Sequence, residues 1–146
     1  MNLKIIFQLI KGSGKTLAFS VPLVQKILAS KSSSSSLPRA VVLSPTRELG
    51  LQIYEQVQKL TKNTKVRSLA VYGGTSYTPQ ERALRNGIDI LIGTPGRVMD
   101  HIEKKNLDLS KVEMFGKISF FFFLTLFSSF SFLLLDWTFN GINKIK

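Results

Sequence analysis

Short apolar runs alternate along this chain with segments whose apolar residues recur at helical spacing, and this alternation restricts the possible folds more than any other feature. The runs predict strands at residues 5–9, 40–43, 69–72 and 88–92, with a fifth beginning at 112–115. The periodic segments predict helices at residues 16–29, 49–60, 79–85 and 98–102. Strands and helices at this spacing are typical of βαβ units, so the sequence predicts an α/β fold with a mostly parallel sheet.

Helical spacing also predicts which side chains of the helices are buried. In the first helix, the apolar face is predicted to consist of Leu17, Val21, Val24 and Leu28. In the last predicted helix, His101 is interpreted as a solvated residue and is assigned no role. Both interpretations depend on periodicity alone, so the packing of these helices tests them.

The composition limits the class of protein and the class of partner. With 146 residues, a mass of 16.4 kDa and 44% hydrophobic residues, the chain is long enough for one domain with a core. Its 20 Lys and Arg residues against 9 Asp and Glu give a formal charge of +11, which indicates an anionic partner such as nucleic acid or a lipid surface. The absence of cysteine excludes disulfides, thiol catalysis and thiolate metal sites, and a single histidine excludes a histidine metal cluster.

The stretch Gly12-Ser13-Gly14-Lys15-Thr16 lies between the first predicted strand and the first predicted helix. Glycines in such a turn allow backbone amides to face phosphate oxygens, and the helix N-terminus adds partial positive charge. Lys15 would then reach the β- and γ-phosphates of a nucleotide, and the Thr16 hydroxyl would ligate Mg²⁺. We interpret the stretch as a phosphate-binding loop. The alternative is a Gly-Ser linker, because Leu9 occupies a position where the full motif has glycine.

Three further segments follow predicted strands, at the carboxyl ends where parallel sheets bind ligands. They are Pro45-Thr46-Arg47-Glu48, Gly73-Gly74 and Thr94-Pro95-Gly96-Arg97. Taken singly, the first is compatible with a surface ion pair at a helix start, and the other two with plain turns. In this order and spacing after residues 12–16, however, they resemble the first RecA-like domain of the DEAD-box ATP-dependent RNA helicases, over about residues 10–115.

The resemblance implies a role for each segment. The phosphates of ATP would be held by Gly12, Ser13, Gly14, Lys15 and Thr16, with Mg²⁺ bound through Thr16 and the nucleotide. The RNA path would be lined by Pro45, Thr46, Arg47, Glu48, Gly73, Gly74, Thr94, Pro95, Gly96 and Arg97. Such residues grip phosphates and 2′-hydroxyls and read no bases. The family further implies ATP-dependent RNA remodelling in the nucleus or the cytoplasm, while the sequence indicates no protein partner.

A second basic group follows the second predicted helix and has two interpretations. It consists of Lys59, Lys62, Lys65 and Arg67. We interpret it as solvated surface, and the alternative is an extension of the RNA footprint.

The chain departs from the family pattern at two places. Leu9 and Lys11 stand where Ala and Thr are usual. The Asp-Glu-Ala-Asp motif should follow Phe115, yet no acidic residue occurs between Glu113 and Asp136, and the Ser-Ala-Thr motif and the family's second domain are not found either. Since the motif's carboxylates anchor Mg²⁺ and position the attacking water, we expect no catalytic residue, no ATP hydrolysis and no unwinding. A truncated helicase and a non-catalytic RNA-binding paralogue both fit.

The composition changes near residue 116, so we predict a partial helicase domain at residues 1–115 and a hydrophobic tail at 116–146. Most of the 11 Phe residues belong to this tail. Residues 118–135 carry no charge and would reach roughly 27 Å as a helix, close to a bilayer core of about 30 Å, so a small membrane-anchored protein is one interpretation. Since Phe, Leu and Ser all have pyrimidine-only codons, the other interpretation is a translated non-coding stretch joined to an exon.

Overall fold

The computed structural model describes residues 5–9, 15–30 and 36–118, which form five strands and four helices. The strands are β1 (Ile5–Leu9), β2 (Ala40–Leu43), β3 (Ser68–Val71), β4 (Ile90–Gly93) and β5 (Met114–Ile118). The helices are α1 (Lys15–Ala29), α2 (Arg47–Thr61), α3 (Tyr77–Arg85) and α4 (Pro95–Glu103). Each predicted element is present, and only the ends differ by a few residues, so the α/β prediction is confirmed.

The five strands form one sheet in the order β1-β5-β2-β4-β3, and all neighbouring strands are parallel. The predicted parallel sheet is therefore confirmed. β5 lies between β1 and β2, although it comes last in the chain. It continues to Ile118 and thus crosses the boundary that we place between residues 115 and 116.

Helices cover both faces of the sheet, and each face has its own apolar core. On one face, α1 and α2 pack against β2, β4 and β5 through a cluster that includes Phe19, Leu23, Ile53, Val57, Val42, Ile92 and Met114. On the other face, α3 and α4 pack through a cluster that includes Leu84, Val98, Val41, Leu91 and Val71. All four residues of β2 are buried, as expected for a continuous apolar strand covered on both sides.

The predicted buried face of α1 is wrong at three of its four residues. Leu17, Val21 and Leu28 are exposed, with 46%, 36% and 51% of their surface accessible, and only Val24 is buried. The side chains that face the sheet are instead Phe19, Leu23, Val24 and Ile27. Because α1 is apolar around most of its circumference, its apolar spacing fits more than one face.

Within residues 5–9, 15–30 and 36–118, no helix combines the length and the apolar composition that crossing a membrane requires. The membrane interpretation was based on residues 118–135. That segment lies outside the described residues, apart from Ile118 at the end of β5.

Candidate functional site

The parallel sheet brings the predicted site segments to one edge. Because all strands run in the same direction, the residues that follow β2, β3 and β4 lie at the carboxyl edge of the sheet. Three helices begin at this edge, at Lys15, Arg47 and Pro95, and the loop with Gly73 and Gly74 leaves β3 there. β2 pairs with β4 and β4 pairs with β3, so the three segments expected to contact RNA are neighbours.

Ser44 fixes the start of α2. It is buried directly after β2, where its backbone N–H donates to the Gly93 carbonyl at 2.8 Å and its hydroxyl donates to the Thr46 carbonyl at 2.9 Å. Thr46 is the N-cap residue of α2, and its side-chain oxygen accepts from the Leu49 N–H at 3.3 Å. These bonds present an exposed first turn to solvent, formed by Pro45, Thr46, Arg47 and Glu48. Sequence reasoning missed Ser44. The signal was its position, because it is a polar residue directly after an apolar strand.

Gly93 sets the position of α4 relative to β3. The Thr94 N–H donates to the Val71 carbonyl at 3.0 Å, which continues the β3–β4 pairing into the first residue after the strand. A Cβ atom on Gly93 would lie 2.8 Å from that carbonyl oxygen and 2.5 Å from Cγ2 of Val98, so only glycine fits here. Thr94 is the N-cap residue of α4, but its side chain makes no cap hydrogen bond and remains available to a ligand.

Arg47 reaches from α2 across to the loop after β3. Its guanidinium lies over the Tyr72 ring, 4.8 Å from the centroid, in a cation–π contact. A Cβ atom on Gly74 would lie 3.5 Å from Nη1 of Arg47, and Gly74 has φ +75°, a conformation that favours glycine. Two of the predicted segments therefore meet directly at the Arg47 side chain.

Arg97 reaches from α4 to the same loop. Its Nη1 and Nη2 atoms donate to the Thr75 carbonyl at 3.3 and 3.4 Å, and the guanidinium lies 5.4 Å from the centroid of the Tyr77 ring. Its Nε atom is 3.9 Å from a carboxylate oxygen of Asp100, and 14% of the side chain is exposed. The structure therefore brings Arg47 and Arg97 into contact with one loop, Arg47 at Tyr72 and Gly74 and Arg97 at Thr75, with both cations at the carboxyl edge.

The interpretation of His101 as a solvated residue is wrong. His101 is completely buried, its ring stacks on the Tyr77 ring with centroids 4.3 Å apart, and its Nε2 atom lies 3.3 Å from Oε1 of Gln80. The sequence did hold a signal, since His101 follows Val98 by three residues and precedes Ile102, which places it toward the buried side of α4. Gln80 was likewise missed, and it is buried in α3.

Burial lowers the pKa of the His101 imidazole below its ordinary value of 6.5. The positive charge of Arg97 lowers this pKa further, and Lys104 acts in the same direction, whereas the carboxylates of Asp100 and Glu81 raise it. Above pH 6.5 the His101 ring is therefore neutral. It stacks on Tyr77 without adding positive charge to the site.

The predicted phosphate-binding loop lies mostly outside the described residues. Gly12, Ser13 and Gly14 belong to the part of the chain that is not described, while Lys15 and Thr16 are the first two residues of α1. α1 begins at the carboxyl edge, because it follows β1. Among the described side chains, no group of three acidic, histidine or cysteine residues is placed to hold a metal ion.

Comparison with known proteins agrees with this arrangement. Residues 2–115 match the family model of the DEAD/DEAH box helicases. The ATP-dependent RNA helicase DDX50 of Homo sapiens is 43% identical over 110 residues, which are 74% of this chain and 15% of that protein. The DEAD-box ATP-dependent RNA helicase CshA of Bacillus cereus is 44% identical over 109 residues, which are 75% of this chain and 20% of that protein. The chain thus spans a fifth or less of the length of these relatives.

Solved structures share the fold. The crystal structure of the yeast DEAD-box splicing factor Prp28 superposes with a TM-score of 0.70 and 35% identity, over 78% of this chain and 28% of that chain. A DEAD box protein from the hyperthermophile Methanococcus jannaschii gives a TM-score of 0.66 and 36% identity, over 78% of this chain and 30% of that chain. The likeness extends over more than three quarters of this chain in both cases.

Proposed function

This chain belongs to the DEAD/DEAH box helicase family, and from that premise we propose that it binds the sugar-phosphate backbone of RNA and the phosphates of ATP. The observation that carries the proposal is the meeting of three strand-end segments at one edge, with Arg47 and Arg97 both in contact with the loop after β3. Relatives named as ATP-dependent RNA helicases support it.

The polar groups at this edge suit a sugar-phosphate backbone. Arg47 and Arg97 supply cationic donors that pair with phosphate oxygens, and the Thr94 hydroxyl, which makes no cap hydrogen bond, can bond a phosphate or a 2′-hydroxyl. A methyl group at Gly73 or Gly96 would meet nothing within 4 Å, so the backbone there is open to close approach by a ligand. Contacts of these kinds hold a strand without reading its bases, so we propose binding that is independent of sequence.

The start of α1 suits nucleotide phosphates. Lys15 and Thr16 form the first turn of a helix at the carboxyl edge, where backbone amides and the helix dipole favour anions. We propose that Gly12, Ser13, Gly14 and Lys15 hold the phosphates of ATP and that the Thr16 hydroxyl ligates Mg²⁺, which neutralises phosphate charge when bound. The Lys15 ammonium group can pair with phosphate, and the Thr16 hydroxyl oxygen can bind Mg²⁺. Together with the neighbouring glycines, they are the groups that ATP with Mg²⁺ requires.

The proposal includes the absence of turnover in this chain. No carboxylate follows β5 directly, because residues 114–135 contain neither Asp nor Glu. Phosphoryl transfer in this family requires carboxylates to anchor Mg²⁺ and to position water. We therefore propose binding without hydrolysis, in the nucleus or the cytoplasm where RNA is found.

The RNA-binding proposal is tested by fluorescence anisotropy with a labelled single-stranded polyuridine oligonucleotide. Arg47→Ala and Arg97→Ala should each raise Kd about tenfold and reduce the slope of log Kd against log salt by about one. Lys111→Ala is the charge-matched control, because Lys111 is exposed just before β5 begins, at the opposite edge of the sheet. Equal effects of all three substitutions would reject a defined site in favour of general charge attraction.

The ATP-binding proposal is tested separately with a fluorescent ATP analogue and Mg²⁺. Lys15→Ala should abolish saturable binding, while Lys26→Ala, near the other end of α1, should not. The purified wild-type chain should release no phosphate above background in the presence of RNA. Turnover that is lost with Lys15→Ala would contradict the proposed absence of hydrolysis, while leaving the binding proposal intact.

A further inference from the structure

Gln80 holds the loop that follows β3 through hydrogen bonds. It lies in α3 with 7% of its surface exposed. Its side-chain Nε2 donates to the Tyr72 carbonyl at 3.1 Å and to the Thr75 Oγ1 at 2.8 Å. Tyr72 and Thr75 flank Gly73 and Gly74, so one buried amide group holds both ends of the loop.

The same amide group also contacts α4. Both hydrogens of Gln80 Nε2 are used by the loop, so Oε1 faces His101 Nε2 as an acceptor, at 3.3 Å. His101 must then carry its proton on Nε2, which is the neutral tautomer that can donate here. His101 Nδ1 is buried and has no hydrogen-bond partner among the described residues.

Thr75 completes a closed set of contacts between the loop and α4. Its carbonyl accepts from Arg97, which lies in the first turn of the helix that also carries His101. Its hydroxyl accepts from Gln80 and donates to the Tyr72 carbonyl at 3.3 Å. The loop after β3 and α4 are therefore linked through Gln80 and His101 on one path and through Arg97 on the other.

We propose that Gln80 and His101 are positioning residues that hold the Gly73–Gly74 loop and Arg97 at the spacing required to grip an RNA phosphate backbone, and that protonation of His101 releases this grip. The proposal rests on the RNA binding proposed above. Neither residue need touch RNA, since both are buried and act through Thr75 and Tyr72. Their role is thus distinct from that of the exposed Arg47.

The charges around His101 determine the direction of the pH effect. Arg97 and Lys104 oppose a positive charge on the ring, and Lys104 Nζ lies 4.1 Å from the centroid of the Tyr77 ring on which His101 stacks. Asp100 and Glu81 favour the charge, but burial disfavours it most. A second proton would go to Nδ1, where no described residue accepts it, and would repel the Arg97 guanidinium. RNA affinity should therefore fall as the pH drops below 6.5.

The test measures RNA affinity by anisotropy at pH 7.5 and pH 5.5, with the full chain and labelled polyuridine. Gln80→Leu should raise Kd about fivefold at pH 7.5, the factor expected for a lost hydrogen bond. His101→Gln keeps an amide N–H that can donate to Gln80 but does not titrate, so it should bind like wild type at pH 7.5 and lose the extra weakening at pH 5.5. Gln58→Leu is the control, because Gln58 is exposed on α2 and its side-chain amide donates only to the Tyr54 and Ser68 hydroxyls among the described residues.

A second measurement does not depend on the stability of Gln80→Leu. His101 is the only histidine in the chain, so one imidazole proton signal in the NMR spectrum reports its titration without assignment. Gln80→Glu places a carboxylate beside Nε2 and should raise the pKa of His101 measured in this way. An unchanged titration in Gln80→Glu would show that the two side chains are not in contact, and would overturn the proposal.

The outcomes separate this proposal from the proposed RNA binding. RNA affinity that is insensitive to Arg47→Ala and Arg97→Ala would reject the RNA site itself. Affinity that depends on both arginines, but is unchanged by Gln80→Leu and keeps its full pH dependence in His101→Gln, would reject only the positioning role.

Discussion

Gly93 and Val98 lie so close together that a Cβ atom on the glycine would stand 2.5 Å from Cγ2 of the valine. The contact arises because α4 begins two residues after Gly93, which is the last residue of β4, and Val98 turns back over the end of the strand. It places the first turn of α4, which carries Arg97, against the end of β3. The contact thus links the core beneath the sheet edge to the position of Arg97, which we propose to bind RNA.

We predict that Gly93→Ala destabilises the protein by about 2–3 kcal/mol. The added methyl group would overlap both Val98 and the Val71 carbonyl oxygen, and neither the strand nor the helix can move without losing backbone hydrogen bonds. Urea unfolding followed by circular dichroism measures the loss. Gly96→Ala is the control, since its methyl group would meet nothing within 4 Å, and it should unfold at the same or a higher urea concentration. Equal losses in the two variants would contradict the steric explanation.

Thr46→Ala should cost about 1 kcal/mol of stability, because it removes the side-chain oxygen that caps α2 through the Leu49 N–H. Thr94→Ala makes the matched comparison. Thr94 occupies the same N-cap position on α4 but makes no side-chain cap bond, so its loss should be smaller. Thermal melts of both variants under identical conditions measure the two losses of stability. A larger loss of stability for Thr94→Ala than for Thr46→Ala would contradict the assignment of the caps.

Arg39→Ala should destabilise the protein by about 2 kcal/mol. Arg39 is buried, its Nη1 donates to the Ile27 carbonyl at 3.3 Å, and its Nε lies 3.6 Å from a carboxylate oxygen of Glu113. It thereby joins the last turn of α1 to the residue before β5. The control is Arg85→Ala, which removes an exposed pair with Glu81 on one helix and should cost less than about 0.5 kcal/mol. Urea unfolding distinguishes the two, and similar losses would show that the buried position of Arg39 adds nothing.

His101 should make the folded state less stable at mildly acidic pH. Its pKa is lowered in the folded protein, mainly by burial, so the unfolded chain binds more protons below pH 6.5. The free energy of unfolding should therefore be constant with respect to this group above pH 6.5, and should fall as the pH decreases from 6.5 toward the lowered value. Comparison of wild type with His101→Gln by urea unfolding at pH 7.5, 6.5 and 5.5 isolates this effect. An identical pH dependence in both proteins would contradict it.

The elements were predictable because each is marked locally. The continuous apolar run at residues 40–43 predicted a strand, and the helical spacing of apolar residues at 49–60 predicted a helix; the structure confirms both as β2 and α2. The buried side of α1 was not predictable, because Leu17, Val21 and Leu28 have the same apolar character as the residues that face the sheet. When a helix is apolar on two sides, its spacing of apolar residues does not show which side is buried, because that depends on the element against which the helix packs.

For the segments predicted to contact RNA, the sequence predicted only that they lie at the same edge of the sheet. A parallel sheet places the residues after each strand together, so Arg47, Gly74 and Arg97 were expected at one edge. Their link through Gln80 and His101 was not, since it depends on two buried polar side chains from helices separated by a strand. Buried polar contacts of this kind carry no periodic signal, and only the packed structure reveals them.

The place of β5 in the sheet has a consequence for the order in which the chain folds. Among the described strands, β1 pairs with β5 alone, and Ile5 lies opposite Met114. β4 pairs with β2 and with β3, and the stretches of chain between these paired residues are much shorter. Closing a long loop costs entropy before any contact repays it, so the unit of β2, β4 and β3 should assemble first. β1 precedes the other described strands in the chain and should nevertheless be incorporated after β2, β4 and β3, because residues 5–9 have no paired strand until Met114–Ile118 has been made and docked.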